Sequence, residues 1–369
     1  EFRFDLKYRA LLQVSQRGLK EAVEQQFPYL PSGCYFSLDS KSADIVLSSL
    51  KTAVPSTWRP LVRELRLLAQ TSGDCDLRRF LTETGASLEA IYGRTRGGWS
   101  ELRQEAGLSC EPSGPMEGKL RRGIGRLLHL DDEDRIRFAS RIADDLSIDL
   151  QRMSMRERRQ LRMILAVLLD DLAVEGMPLA DGLELLRRHP QVVAELREVL
   201  PLLTPNVAHI GTYKAADPEV PLCLHARYRR REILAACGVG DESSAFIRPW
   251  REGVLNAESI GADVFVVTVN KSDRFSPTTR YKDYAINSKL FHWESQSQTT
   301  SKSETGLRYQ EHESRNRSIM LFVRETENDA FYYVGKMRYL RHESEKPMRV
   351  TWELHDELPG DLYLAFSAQ

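Results

Sequence analysis

The sequence changes character near Pro201–Pro205. Before this point, apolar residues recur at the three- and four-residue spacing that is typical of helices. After it, β-branched and aromatic residues alternate with polar ones, as they do in strands. This order predicts an α+β protein, with a helical N-terminal region followed by a β-rich C-terminal domain.

Three segments follow from this pattern. Residues 1–110 read as a helical region, in which short helices broken at glycine resemble a helix-turn-helix, with a small helical bundle that carries a solvated Arg face as the alternative. The expected pieces are a helix at Leu77–Leu81 that stops at Gly85, a helix capped by Ser87, and a third at Ser100–Ala106. Residues 111–204 read as a helical bundle or coupling region after a Pro- and Gly-containing linker, and residues 205–369 as the β-rich domain. The expected strands are Val264–Val269, Leu290–Gln296, Ile319–Val323, Phe331–Val334 and Met348–Leu354.

Charge and composition exclude several classes of protein. Lys and Arg total 52 against 53 Asp and Glu, so any site for a polyanion must arise from local clustering. A hydrophobic content of 41% excludes wholesale disorder, and no apolar run is long enough for a membrane span. The five cysteines suit neither a disulfide framework nor a zinc site, which favours a reducing cytoplasm. The opening at Glu1-Phe2 is typical of a piece of a longer chain.

Signatures of catalysis are missing from the sequence. Gly118-Lys119 and Gly335-Lys336 lack the Ser or Thr that a phosphate loop requires. His312-Glu313 and His342-Glu343 lack the second His of a zinc-protease helix. We therefore expect no enzymatic activity, cofactor or metal in this chain, and rate an unrecognised nuclease as a minor alternative.

The segment Lys271–Arg324 combines positive charge with aromatic residues. It holds ten Lys or Arg against six Asp or Glu, and its aromatic residues stand among hydroxyl and amide side chains. A pocket for a base taken out of the stack needs aromatic walls together with polar groups for the base edge. The alternative is that Phe291 and Trp293 are the buried face of a strand and that the Ser and Thr residues serve turns.

Other basic residues are candidates for phosphate contacts. Arg229, Arg230 and Arg231 read as the start of a helix, with a solvated first turn as the alternative. The cluster Arg156, Arg158, Arg159 and Arg162 could touch a nucleic-acid backbone, although a solvated helix face is the commoner origin of such a run. Arg308 and His312 lie one helical turn apart and could share a face.

Several strings also carry a resemblance to a known family. They are Phe275–Thr279, Asp283–Ile286, Leu290–Ser297, Thr305–Gly306, Arg308–Tyr309, His312 and Leu321–Glu325, with Phe27–Cys34 and Phe80–Gly85 upstream. Together they resemble a domain of unassigned function that lies C-terminal to the helicase in many bacterial superfamily II helicases. Glu1–Leu6 resembles the stretch just past the last helicase motif.

Some members of that family, the SauUSI-like type IV restriction enzymes, join a phospholipase-D-like nuclease, an ATP-driven translocase and this C-terminal region. They cut DNA that bears 5-methylcytosine or 5-hydroxymethylcytosine. The resemblance implies that this chain recognises the modified DNA, and that its last domain has a fold akin to the base-flipping SRA domain or its PUA-like relatives. ATP and Mg²⁺ would then belong to upstream nuclease and helicase domains of the same polypeptide.

The resulting hypothesis is a DNA-recognition region that accepts a flipped, modified cytosine of double-stranded DNA. The expected pocket walls are, in order, Trp293, Tyr284, Tyr281 and Phe275. Hydrogen bonds to the base edge or to phosphate are expected from Ser276, Thr278, Thr279, Ser295 and Gln296. Backbone contacts are expected from Arg280, Arg308, Arg324, Arg229, Arg230, Arg231 and His312. The alternatives are an interaction scaffold that couples a helicase core to partner proteins, and a general DNA clamp in repair or phage defence.

Overall fold

The computed structural model describes residues 57–93, 97–209, 218–270 and 283–367. They fall into two compact units. The first holds the described residues up to 150 together with 164–209, and the second holds 151–163 together with the described residues from 218 onward. Helices make up the first unit and a mixed sheet dominates the second, so the α+β class is confirmed. No helix among the described residues is long and apolar enough to cross a bilayer.

The described helices that precede the sheet are short. They are α1 Trp58–Ser72, α2 Leu77–Thr84, α3 Leu88–Tyr92, α4 Gly98–Ala106, α5 Glu117–Leu127, α6 Glu133–Asp144, α7 Met155–Leu168, α8 Leu179–Arg187 and α9 Pro190–Val199. Single 3₁₀ segments lie at Leu150–Arg152 and Leu200–Asn206. Both helical regions expected from the sequence, before and after residue 110, contribute to the first unit.

The sequence signals for α2 and α3 are confirmed in detail. The Asp76 carboxylate accepts the Arg79 N–H at 2.7 Å and so caps α2. Gly85 ends that helix in the left-handed region at φ 70°, where a residue without Cβ pays no steric penalty. The Ser87 hydroxyl accepts the Ala90 N–H at 3.2 Å and starts α3.

A buried carboxylate on α9 holds the N-terminus of α4. Glu195 is 1% exposed and accepts the Tyr92 hydroxyl at 2.6 Å and the Trp99 N–H at 2.9 Å. It also accepts both the N–H and the hydroxyl of Ser100. No basic side chain among the described residues pairs with it, so hydrogen bonds alone compensate its charge.

Helix α7 buries arginines in the second unit. Arg159 forms a two-point ion pair with Glu242, at 2.9 and 3.1 Å, and Arg162 donates from Nε to the Ser244 carbonyl at 2.9 Å. Their exposed fractions are 5% and 1%. At these two positions the cluster is therefore neither a DNA contact nor a solvated face, because both guanidinium groups are buried and bind partners inside the unit.

The second unit is built on one eight-stranded sheet. Its strands are β1 Arg227–Tyr228, β2 Val254–Ala257, β3 Ala262–Thr268, β4 Tyr284–Ala285, β5 Leu290–Glu294, β6 Ser318–Arg324, β7 Phe331–Glu343 and β8 Arg349–Leu354. The order is β2-β3-β6-β7-β8-β5-β4, and β1 pairs with the start of β7. All pairs are antiparallel except β3 with β6. Its helices are α10 Arg230–Ala236, α11 Glu304–Gln310 and α12 Gly360–Phe366, with a 3₁₀ turn at Glu258–Ile260.

One face of this sheet carries an aromatic core. Phe265 of β3, Trp293 of β5 and Trp352 of β8 meet there, and α11 adds Tyr309 while α12 adds Phe366. The Phe265 ring stacks on Trp293 with centroids 4.3 Å apart. Burial of large rings supplies most of the driving force for such a sheet–helix layer.

Replacing Glu195 by Gln tests the buried carboxylate. Burial raises the pKa of this carboxyl above its ordinary value, so the folded protein retains the proton to higher pH than the unfolded chain does. Relative to Glu195→Gln, the free energy of unfolding of the wild type should fall as pH rises from about 4 through the folded-state pKa. The variant also carries a pH-independent cost, because an amide cannot accept hydrogen bonds on both sides. Urea denaturation at several pH values measures both, and a difference that stays constant with pH would contradict the prediction.

Candidate nucleic-acid interface

Part of the expected base pocket lies outside the described residues. These positions are Phe275, Ser276, Thr278, Thr279 and Tyr281, and the expected backbone contact Arg280 lies outside them as well. In the sequence they fall between the end of β3 at Thr268 and the start of β4 at Tyr284. Their roles stay predictions.

The alternation expected for β5 places two pocket candidates in the core. Trp293 is 4% exposed and packs between Phe265 and Tyr309. Ser295 is fully buried, and its hydroxyl accepts the Met348 N–H at 2.9 Å. The Trp293 ring therefore serves protein packing, as the buried-strand interpretation holds. A base could reach this ring only if the core opened, so Trp293 and Ser295 are left out of the site proposed below.

Tyr284 lies on the other face of the sheet. It is half-buried, and its ring centroid lies 5.0 Å from that of His292 on β5, with the planes inclined by 30°. Gln296 is exposed just beyond the end of β5. Of the wall candidates that the structure describes, Tyr284 is the accessible one.

Arg308 is tied to a buried acid. Its Nε lies 3.2 and 3.0 Å from the two carboxylate oxygens of Asp263, which is fully buried on β3. The Arg317 Nε lies 3.5 Å from the same carboxylate. One buried anion thus holds two arginines, and the expected phosphate role of Arg308 competes with this pairing.

His312 is also an internal residue. It lies beyond the end of α11, so it does not share a helical face with Arg308. Its Nε2 accepts the Tyr339 N–H at 3.3 Å, which leaves Nδ1 to donate to the Arg317 carbonyl at 3.2 Å. Burial lowers the pKa of this imidazole, so it stays neutral at neutral pH and offers no charge to phosphate.

The three consecutive arginines surround the start of α10. The backbone N–H of Arg229 donates to the Glu232 carboxylate at 2.7 Å, which fixes the first turn. Arg231 donates from Nη1 to the Ile247 carbonyl at 3.0 Å, and Arg230 donates from Nη1 to the Glu252 carbonyl at 2.7 Å. All three side chains are half-buried, so they do not form a freely solvated turn.

Arg230 and Arg324 meet at one aromatic ring. The Cζ of Arg324 lies 4.3 Å from the centroid of Phe331, and the Cζ of Arg230 lies 5.3 Å from it. Arg230 also lies 4.9 Å from the ring of Trp250. Contacts of this kind hold a guanidinium through the negative face of the ring while its N–H edge stays available. We call Arg230, Arg324, Phe331 and Trp250 the arginine cluster.

Hydrogen bonds fix Arg324 further. Its Nε donates to the Thr268 hydroxyl at 2.9 Å, and its Nη1 donates to the Glu327 carbonyl at 2.6 Å. Thr268 is the last residue of β3, so Arg324 is anchored at the strand end from which the Lys271–Lys282 stretch continues in the sequence. These bonds leave Nη2 without an acceptor among the described residues.

The electrostatics of the arginine cluster favour an added anion. No carboxylate of a described residue forms an ion pair with Arg230 or Arg324. Burial, followed by the charge of Arg324, lowers the pKa of Arg230 to about 10. Burial likewise lowers the pKa of Arg324, although Asp329 and Glu327 partly oppose this effect. Both guanidinium groups remain charged at neutral pH, and an anion between them would relieve their repulsion.

Sequence reasoning selected both arginines but not their association. Arg230 and Arg324 lie on elements far apart in the chain, and Phe331 and Trp250 were not candidates. No local sequence pattern predicts that these residues come into contact, because the contact depends on β1 pairing with β7. Groups of His, Cys, Asp or Glu that could hold a metal are absent from the described residues.

The positions of Trp293 and Tyr284 predict opposite responses to truncation. Trp293→Ala should lower the free energy of unfolding by about 3–5 kcal/mol, because it leaves a large cavity in the aromatic core. Tyr284→Ala should change it by less than about 1 kcal/mol, because the ring is only half-buried. Urea denaturation of both variants measures this, and similar losses would show that Tyr284 is also a core residue.

Removing the Asp263 carboxylate should be costly. Asp263→Ala leaves Arg308 and Arg317 without their buried anion, and the expected loss is about 3 kcal/mol or more. Glu311→Ala is the matched control, because Glu311 and Arg315 form an exposed pair at 2.8 Å that should contribute at most about 1 kcal/mol. Thermal melts of the two variants compare them, and equal shifts in Tm would argue against a structural role for Asp263.

Comparison with known proteins finds a family model that matches part of the chain. Residues 222–366 match the model of a family described as a domain of unknown function (DUF3427). The matched range begins just before β1 and ends at the last residue of α12, so it contains the whole sheet and the arginine cluster. None of the curated proteins matches the chain. The chain therefore contains a region that resembles this family at residues 222–366.

Proposed function

We propose that this chain is the DNA-recognition region of an ATP-dependent, modification-dependent type IV restriction enzyme. The observation that carries the proposal is the arginine cluster, in which two like charges share the ring of Phe331 without a carboxylate partner among the described residues. DNA carries phosphate groups at high density along its backbone, so it is the anion that we assign to this site. Arginine binds phosphate through two parallel N–H groups.

Preorganisation supports this role. Arg230 is held by two rings and one carbonyl, and Arg324 by one ring, one hydroxyl and carbonyl groups. Side chains that are already fixed lose little conformational entropy when phosphate arrives. The cluster would therefore position the duplex backbone without reading its sequence.

Base recognition is assigned to the neighbouring stretch of sequence. We place the reader of the modified cytosine at Phe275–Tyr281 together with Tyr284, where aromatic walls and hydroxyl groups occur close together in the sequence. The family resemblance supports an SRA- or PUA-like mode, in which the base leaves the stack before it is read. Arg324 and Thr268 would bring the backbone to the point where this stretch leaves β3.

The rest of the enzyme would lie upstream of this chain. The resemblance to the region after superfamily II helicases supports an ATP-driven translocase and a nuclease in the same polypeptide. In this scheme Mg²⁺ and ATP serve those domains, and the present chain supplies recognition alone.

Titration with matched duplexes tests the proposal. The duplexes carry cytosine, 5-methylcytosine or 5-hydroxymethylcytosine at one position, and binding is measured at two salt concentrations. We expect tighter binding to one modified duplex at both, and weaker binding of all duplexes at high salt because counterions are released. Equal binding of all three duplexes would reduce the function to a general clamp, and no binding would favour the scaffold.

Substitution of the arginine cluster locates the backbone contact. Arg230→Ala and Arg324→Ala should each weaken all duplexes alike and reduce the slope of log affinity against log salt by about 0.9. Arg315→Ala is the matched control, because Arg315 is exposed and pairs with Glu311. Thermal melts confirm that the variants fold. Unchanged slopes in folded variants would remove the cluster from the interface.

A further inference from the structure

A row of four side chains crosses β4, β5, β8 and β7 on the face of the sheet opposite the aromatic core, where this part of the face is partly exposed. The strand register pairs Tyr284 on β4 with His292 on β5, His292 with Thr351 on β8, and Thr351 with Arg341 on β7. Directly paired residues point to the same side of a sheet. Arg341 is exposed and the other three are half-buried. We call these four residues the surface row.

The surface row differs from its neighbours in its polar groups, which have no partners among the described residues. None of its four side chains forms a hydrogen bond or ion pair with another described residue. In the rows on either side, Arg349 pairs with Glu294 at 3.3 Å, and Arg338 pairs with Glu353. Arg349 and Arg338 thus already have acidic partners, whereas Arg341, the Thr351 hydroxyl and the Tyr284 hydroxyl bond to no other described residue.

Two rings begin the row. Tyr284 and His292 lie with centroids 5.0 Å apart on adjacent strands. Burial is the main cause that lowers the pKa of His292, so its ring is neutral at neutral pH. At this distance and inclination the two rings lie partly against each other, so their outer faces are the ones available for a base to stack on.

The spacing along the row suits a nucleotide strand. Adjacent strands lie about 4.8 Å apart, so the backbone at Arg341 is about 10 Å from that at His292. The long Arg341 side chain covers a large part of this distance. If a base stacks on the rings, the Arg341 guanidinium can therefore reach the phosphate of that nucleotide or of the next one. Thr351 lies between the rings and Arg341.

We propose that the surface row is a platform for an unpaired nucleobase, with Tyr284 and His292 stacking on the base and Arg341 binding the adjoining phosphate. The inference rests on the proposed function in one respect, namely that the ligand of this domain is nucleic acid. It adds that the domain holds a strand outside the duplex, on a face of the sheet opposite to the aromatic core.

Binding of a labelled single-stranded 12-mer to the full chain tests the platform, with the duplex of the same sequence measured in parallel. Tyr284→Ala and His292→Ala should each weaken single-strand binding by about 5- to 100-fold, the range for truncating one stacking ring. Tyr284→Phe should retain most of the affinity. Arg341→Ala should weaken binding and reduce the salt slope by about 0.7.

Arg338→Ala is the matched control for Arg341→Ala. It lies on the same strand and removes the same charge, but its side chain already pairs with Glu353, so single-strand affinity should not change. Equal losses in both variants would show a diffuse charge effect and overturn the platform. The platform would also be overturned if the single strand bound all variants as tightly as the wild type. In that case, duplex binding that depends on Arg230 would still support the proposed function. Binding of neither single strand nor duplex would overturn both.

Discussion

The parallel pairing of β3 with β6 is the constraint on which the second unit depends. Seven consecutive residue pairs join Ala262–Thr268 to Ser318–Arg324, and both strands are almost wholly buried. Parallel strands bring their carboxyl ends together, so Thr268 and Arg324 become neighbours and exchange a hydrogen bond. At the opposite end, Asp263 meets Arg317, which directly precedes β6, and Arg308 of α11. The two charged clusters are separated by about 17 Å of strand because one pairing fixes both.

The alternation of side chains then separates stability from recognition. Residues of β5 that differ by one position point to opposite faces, so Trp293 enters the aromatic core while His292 reaches the surface row. The core face is dry and dense with rings. On the opposite face, the side chains of the surface row form no hydrogen bonds or ion pairs with other described residues, although the rows beside it hold ion pairs. A substitution on β5 would therefore affect either folding or the proposed platform, according to which face its side chain occupies.

Much of the local structure was predictable from the sequence because local physics decides it. Gly85 and Ser87 mark helix ends by chemistry that acts over a few residues, and the period-two alternation of Leu290–Gln296 predicted both the strand and its faces. Which face is buried was left between two alternatives, since aromatic residues suit both a core and a stacking site. The contacts of Arg230 with Arg324, and of Arg159 with Glu242, depend on distant strands and helices. Periodicity carries no information about such meetings.

The placement of Arg159 and Arg162 has a consequence for the boundaries of the second unit. The family match begins at residue 222, yet the unit also includes residues 151–163, which precede it by a long stretch of chain. A polypeptide that starts at the family boundary would lack the cations that neutralise Glu242 and occupy the Ser244 carbonyl. The second unit is therefore discontinuous in sequence, and residues 151–163 must wait until the strands that follow residue 222 have been synthesised. Transfer of the matched region alone to another protein would leave Arg159 and Arg162 behind.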